Sequence, residues 1–166
     1  MTAVLSLFVA LGIMGAFDTI VYHEWIARLP HDPKAKGELR LHAARDAVYA
    51  FLFASLAWFE PHGAAVPFYA ALFATEIVIT LGDFVTEDRI RRLPAGERVT
   101  HALMGIVYGF ILALFVPVAI GWFAQPTGFA HASYGLLSWA LTALAVGVAA
   151  SGIRDTISAL RSQRGD

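Results

Sequence analysis

Two stretches of this sequence carry the same side chains at the same spacing. Glu38 and His42 stand four apart ahead of Val48, Tyr49 and Phe51. Glu97 and His101 stand four apart ahead of Val107, Tyr108 and Phe110, and the two stretches align without a gap. On a helix, residues four apart lie about 40° apart around the axis, so each Glu shares a face with its His one turn away. Tyr49 and Tyr108, seven beyond their histidines, fall on that same face. Carboxylate and imidazole donors without sulfur suit divalent metal ions, iron first, with manganese or zinc as the other candidates. Haem held between His42 and His101 is the lesser candidate, because a porphyrin needs an apolar slot and these histidines have carboxylate neighbours.

The surroundings of these pairs are apolar. Of 166 residues, 58% are hydrophobic and 15% charged, against about a quarter charged in a soluble domain. The apolar residues come in runs of about 20 or more, the length of a membrane span. Five spans are expected, at about 3–27, 39–59, 66–88, 99–123 and 133–157. The fold class is therefore an all-α polytopic membrane protein, one transmembrane domain over 1–166. The first span lacks a basic leading region and a small-residue cleavage site before Asp18, so it reads as retained. There is no cysteine, which removes disulfides and thiolate metal sites.

Net charge is −1, but its distribution is uneven. Arg28, Lys34, Lys36, Arg40 and Arg45 surround the first connection. Arg89, Arg91, Arg92 and Arg98 surround the third, and Arg154, Arg161 and Arg164 end the chain. Five spans put all three groups on one side. The positive-inside rule makes that side cytoplasmic, with the N-terminus outside and the C-terminus inside. The expected location is the bacterial inner membrane. Membrane lipids are the expected partners of the basic loops, and nucleic acid is not.

The spans before each Glu/His pair also correspond. Span 1 ends Asp18…His23-Glu24…Arg28-Leu29-Pro30, and span 3 carries Glu76, Asp83, Glu87 and Asp88 before Arg92-Leu93-Pro94. Matched on Arg-Leu-Pro, His23 pairs with Glu87 and Glu24 with Asp88. A slip of one residue instead pairs Asp18 with Asp83, and both alignments stand. Spans 1–2 and 3–4 thus read as a tandem duplicated helical hairpin, with repeats at about 3–59 and 66–123. Together they form a four-helix bundle. Span 5 stands outside the pair. Its Asp155-Thr-Ile echoes Asp18-Thr-Ile, but no His or Glu follows. Pro117 is expected to kink the far end of span 4.

Ionisable groups inside a bilayer cost roughly 2.5–3.5 kcal/mol each and normally face the bundle interior, paired or functional. The candidate metal ligands are His23, Glu38, His42, Asp83, Glu87, Glu97 and His101. Asp18, Glu24, Arg45, Asp46, Glu76, Asp88, Tyr49 and Tyr108 are candidates for further ligands or for orienting roles. Four helices that each bring a carboxylate, two of them with Glu plus His, share the architecture of di-iron carboxylate bundles. The spacing differs, Glu-x-x-x-His in place of Glu-x-x-His, so each Glu either binds an ion or orients its His. His31, His62 and His131 lie in loops and read as surface residues.

Three function classes follow. The first is a membrane metalloprotein with a di-metal site near the cytoplasmic face, an oxidoreductase or hydrolase acting on a lipid or other apolar small molecule. The His-x-x-x-His boxes of membrane desaturases and hydroxylases are absent. The second is a cation or proton transporter using the same acids, although 47–59 and 105–122 hold no charged residue to continue a path. The third is an accessory structural protein whose acids and bases form a salt-bridge network.

Overall fold

Where no water reaches the backbone, its N–H and C=O groups must satisfy one another, and apolar runs of this length do so as helices. The computed structural model describes residues 1–164; the side chains of 162–164, Arg164 included, lie outside the description. Five long helices result: α1 (Thr2–Asp18), α2 (Lys36–Leu56), α3 (Val66–Ile90), α4 (Ala95–Phe123) and α5 (Leu136–Arg164). Four helical stretches are long and apolar enough to cross a membrane: Thr2–Ile26, Gly63–Ile90, Ala95–Phe123 and Leu136–Arg161. Helix α2 is not among them, because Glu38, Arg40, His42, Arg45 and Asp46 crowd its first half. Helix α4 runs through Pro117 without a break.

Helix α1 does not stop at Asp18. It continues as a π-helix over Thr19–Ile26, and the last turn closes with Ala27 N–H donating to Tyr22 C=O, five residues back, at 2.8 Å. A π-turn takes in one more residue than an α-turn before the chain returns to the same face. His23 follows Asp18 by five residues, whereas Glu87 follows Asp83 by four along an ordinary α-helix. The π-segment thus adds one residue between Asp18 and His23, the same one-residue difference that separates the two alignments of span 1 with span 3. The segment ends at Arg28, in the left-handed region at φ 52°, just ahead of Pro30.

At the opposite end the two connections pair with each other. Strands β1 (Phe59–His62) and β2 (Gly128–His131) form an antiparallel ribbon with Phe59 opposite His131 and Pro61 opposite Phe129. This ribbon is a small addition to an otherwise helical chain. Gly63 closes it at φ 55°, where a Cβ would sit 2.7 Å from the Thr127 backbone, so only glycine fits.

Around the bundle, α1 packs against α4 and α5, α5 runs closely along α2, and α2 packs against α3; α3 and α4 touch only lightly. Gly152 of α5 allows the close approach to α2, since a Cβ there would meet the Asp46 Cβ at 2.9 Å. The ribbon half of the bundle is a dry aromatic core. Phe8 meets Phe53 edge-on at 5.6 Å, and Phe73 lies 4.9 Å from Phe115. Large apolar side chains such as Val78, Ile106 and Phe110 cover the outside. An apolar exterior around buried charge is the inverse of a soluble protein. The other half of the bundle holds that charge.

Candidate metal centre

Five carboxylates, Asp18, Glu38, Asp83, Glu87 and Glu97, meet at the polar end, each at most 2% exposed. Three imidazoles, His23, His42 and His101, are buried among them. Four helices and the π-segment deliver them. The π-segment swings His23 inward beside Asp18, α2 brings Glu38 and His42, α3 brings Asp83 and Glu87, and α4 brings Glu97 and His101.

The carboxylates and rings interlock. Asp18 Oδ2 lies 3.1 Å from His101 Nε2 and 3.2 Å from His23 Nε2. Asp83 Oδ2 lies 3.1 Å from His42 Nε2 and accepts a hydrogen bond from Arg45 Nη1 at 2.9 Å. Asp18 with His101 thus reproduces Asp83 with His42. The rings of His23 and His42 stack face to face, 4.5 Å apart and within 7° of parallel. Two imidazolium rings so placed would repel, so the stack suits a pair with at least one neutral ring, the form that binds metal.

Two residues in this cluster were not foreseen from the sequence. Arg91, in the short connection after α3, donates to Glu97 through two nitrogens, at 2.6 and 2.8 Å, and to Glu38 Oε1 at 2.9 Å. Burial disfavours its charge, but the hydrogen bonds to Glu97 and Glu38 more than compensate and hold the guanidinium above its already high ordinary pKa. The sequence pattern presents Arg91 only as one of several basic loop residues. The second is Asp155 of α5, 2% exposed, whose Oδ2 lies 3.9 Å from His42 Nδ1. Its echo of Asp18-Thr-Ile was the available signal. Span 5 therefore belongs to the site rather than standing outside it.

Other candidates lie at the margin or beyond. Glu24 is partly exposed and pairs with Arg154, which also grips Asp155 at 2.6 Å. Asp88 is exposed. Asp46 is buried where α2 meets Gly152 of α5. Glu76 sits deeper in the bundle and accepts hydrogen bonds from Tyr49 at 2.9 Å and Thr80 at 2.8 Å. Tyr108 lies beside it and donates to Phe73 C=O at 3.0 Å. Of the loop histidines, His62 lies 3.7 Å from Glu60 and His131 packs on Trp58, both at the ribbon end.

No family profile, curated protein or solved structure matches this chain. What the cluster can do must be read from its own chemistry.

That chemistry is unbalanced. Six carboxylates, Asp155 included, face three guanidinium groups, Arg45, Arg91 and Arg154. Among the described residues, eight buried side-chain atoms lack a hydrogen bond, and seven of them are here: Asp18 Oδ1, His23 Nε2, Glu38 Oε2, His42 Nε2, Asp83 Oδ1 and both oxygens of Glu87. Each such atom costs about 1–3 kcal/mol, more when charged. Glu87 is the extreme case, with Arg91 no nearer than 3.5 Å to one oxygen and the His101 ring 3.7 Å from the other.

The donors converge as two overlapping sets. One donor atom from each of His23, Glu38, His42 and Glu87 lies within 4.8 Å of the others, and the same holds for His23, Glu87, Glu97 and His101. Tetrahedral ligands at about 2.1 Å from an ion lie about 3.4 Å apart, so either set would have to contract by roughly an ångström to close on an ion. The sets are not equivalent. Every member of the first has an orphaned donor atom. Both sets are partly held, His42 by Asp83 and His101 by Asp18, but Arg91 takes both oxygens of Glu97 and only one of Glu38.

Proposed function

We propose that this chain is a five-span membrane metalloprotein whose polar end holds two adjacent divalent ions. Glu87 is the carboxylate between them, because its two oxygens are orphaned and it belongs to both donor sets. That single observation carries the proposal. The first ion is held by His23, Glu38, His42 and Glu87. The second, weaker, is held by Glu87, Glu97 and His101 once Arg91 and Asp18 yield. One of Asp83 and Asp155 orients His42 through one ring nitrogen and leaves the other for the ion, and Asp18 orients His101 and His23. Iron suits these donors best, with manganese or zinc as alternatives.

The repeated Asp/His contacts, offset only by the π-segment, support descent of α1–α2 and α3–α4 from one duplicated hairpin. Basic residues gathered at the polar end support a cytoplasmic location for it, with the ribbon outside. A redox-capable ion pair here would supply activation of dioxygen. The chain's own residues would exclude water and fix the ions beside an apolar interior, which suits an oxidoreductase acting on a membrane-soluble substrate. A transport route has no support, since the dry Phe8–Phe53–Phe73–Phe115 core closes the other half of the bundle.

Elemental analysis of protein purified in mild detergent tests the proposal. About two ions per chain are expected in the parent protein, and none in a His42→Ala/His101→Ala double variant. An equally stable double variant, from a parent that carries no stoichiometric metal, would leave a salt-bridge network centred on Arg91.

A further inference from the structure

A cavity of about 760 Å³ opens beside the cluster on its membrane-ward side, lined from all five helices. It lies within the range of small-molecule sites, about 300–1,000 Å³. Its floor is polar, with Asp18, Arg45 and His101 at one edge and Glu76 with Thr80 at another. Its upper wall is apolar and partly lined by glycine. A Cβ built on Gly105 of α4 or Gly147 of α5 would meet nothing within 4 Å. The wall residues Ile20 and Leu81 are 51% and 58% exposed on the flank of the bundle, so the cavity is reached from the side rather than from either end.

The floor discriminates by charge. Asp18, Asp46 and Glu76 are acidic, and both guanidinium groups that reach the cavity are committed, Arg45 to Asp83 and Arg154 to Glu24 and Asp155. A carboxylate or phosphate headgroup would therefore meet repulsion and no free cation. Glu76 instead gathers hydroxyls. It already accepts from Tyr49 and Thr80, and a carboxylate has room for further donors. Tyr49 and Tyr108 lie beside this acceptor, and Phe53 and Phe84 line the same cavity, aromatic faces that suit a flat ring.

We propose that this cavity binds a neutral membrane-soluble molecule with a hydroxylated aromatic ring, a quinol-type lipid. Its ring lies among the tyrosines, a hydroxyl donates to Glu76, and its apolar tail leaves through the side opening. Only the assignment of this molecule as the substrate rests on the metal-site proposal; the binding itself does not.

The probe is radiolabelled decylhydroquinone, kept reduced under argon, with the protein in phosphatidylcholine nanodiscs. Binding is measured on metal-free and on zinc-loaded protein, which separates failure of the cavity from failure of the metal site. Saturable binding is expected in both, weakened at least about tenfold by Gly147→Leu, which fills the cavity. Gly105→Leu fills it from the other wall, and far-UV circular dichroism checks that either variant is folded. Glu76→Gln is expected to weaken decylhydroquinone by about tenfold, the scale of one hydrogen bond to a charged acceptor, and to leave the donor-free decylquinone unchanged. Dodecanoate is expected not to compete. Binding that does not saturate, or that survives both folded leucine variants, would overturn the proposal. So would competition by dodecanoate, or tighter binding of decyltrimethylammonium than of the hydroquinone.

Discussion

Replacing Glu87 by glutamine is expected to move stability in opposite directions with and without metal. Without metal, both Glu87 oxygens are buried and lack hydrogen bonds. Removing that charge relieves an uncompensated cost, so the metal-free variant should melt a few degrees above the metal-free parent. With metal the order reverses. Glu87 belongs to both donor sets, and loss of even an outer-shell partner weakens metal binding 10–100-fold. Glu87→Gln should weaken both ions by at least about 100-fold and forfeit the stabilisation that bound metal supplies. His42→Ala and His101→Ala should each weaken chiefly one ion. Thermal melts with and without added metal, together with metal titration, check this. A Glu87→Gln protein that binds metal like the parent would remove the shared ligand from the account.

Arg91→Ala is expected to have the largest effect on the metal-free protein. One guanidinium answers Glu38 and Glu97 directly and stands 3.5 Å from Glu87. Removing one partner of a buried charge pair costs about 3–5 kcal/mol, because the remaining charges stay buried. Metal should restore much of this loss, since a divalent ion replaces the missing positive charge and Glu97 becomes free to bind it. The second ion should therefore bind more tightly in Arg91→Ala than in the parent. Arg91→Lys should recover only part of the metal-free stability, because an ammonium is a point charge and cannot bridge two carboxylates as the planar fork does. Denaturation in matched detergent with and without metal measures both effects. Equal destabilisation in the two conditions would mean that Arg91 acts by packing alone.

Much of the centre could be read from the chain because helical periodicity is a local property. Glu38 with His42, and Glu97 with His101, are placed by spacing alone, as are Asp83 and Glu87 on one face of α3. Four features were out of reach because they are not local. The π-segment at Thr19–Ile26 has no compositional mark, and only the five-residue step from Asp18 to His23, against four from Asp83 to Glu87, betrays it. Asp155 joins His42 only because α5 lies closely along α2, a choice made by Gly152 and its neighbours in three dimensions. Arg91 looked like its basic loop neighbours. What sets it apart is the extended turn after α3, which the Arg91 N–H closes onto Glu87 C=O at 3.0 Å, beside the acids. The pairing of Phe59–His62 with Gly128–His131 is likewise a contact between distant loops.

X-ray absorption at the metal edge of the iron-loaded protein tests the central claim most directly. The account predicts a first shell of nitrogen and oxygen only, at about 2.0–2.2 Å, and a second metal at about 3.5–4 Å that disappears in Glu87→Gln. A spectrum with no metal–metal scattering in the fully loaded parent protein would contradict it.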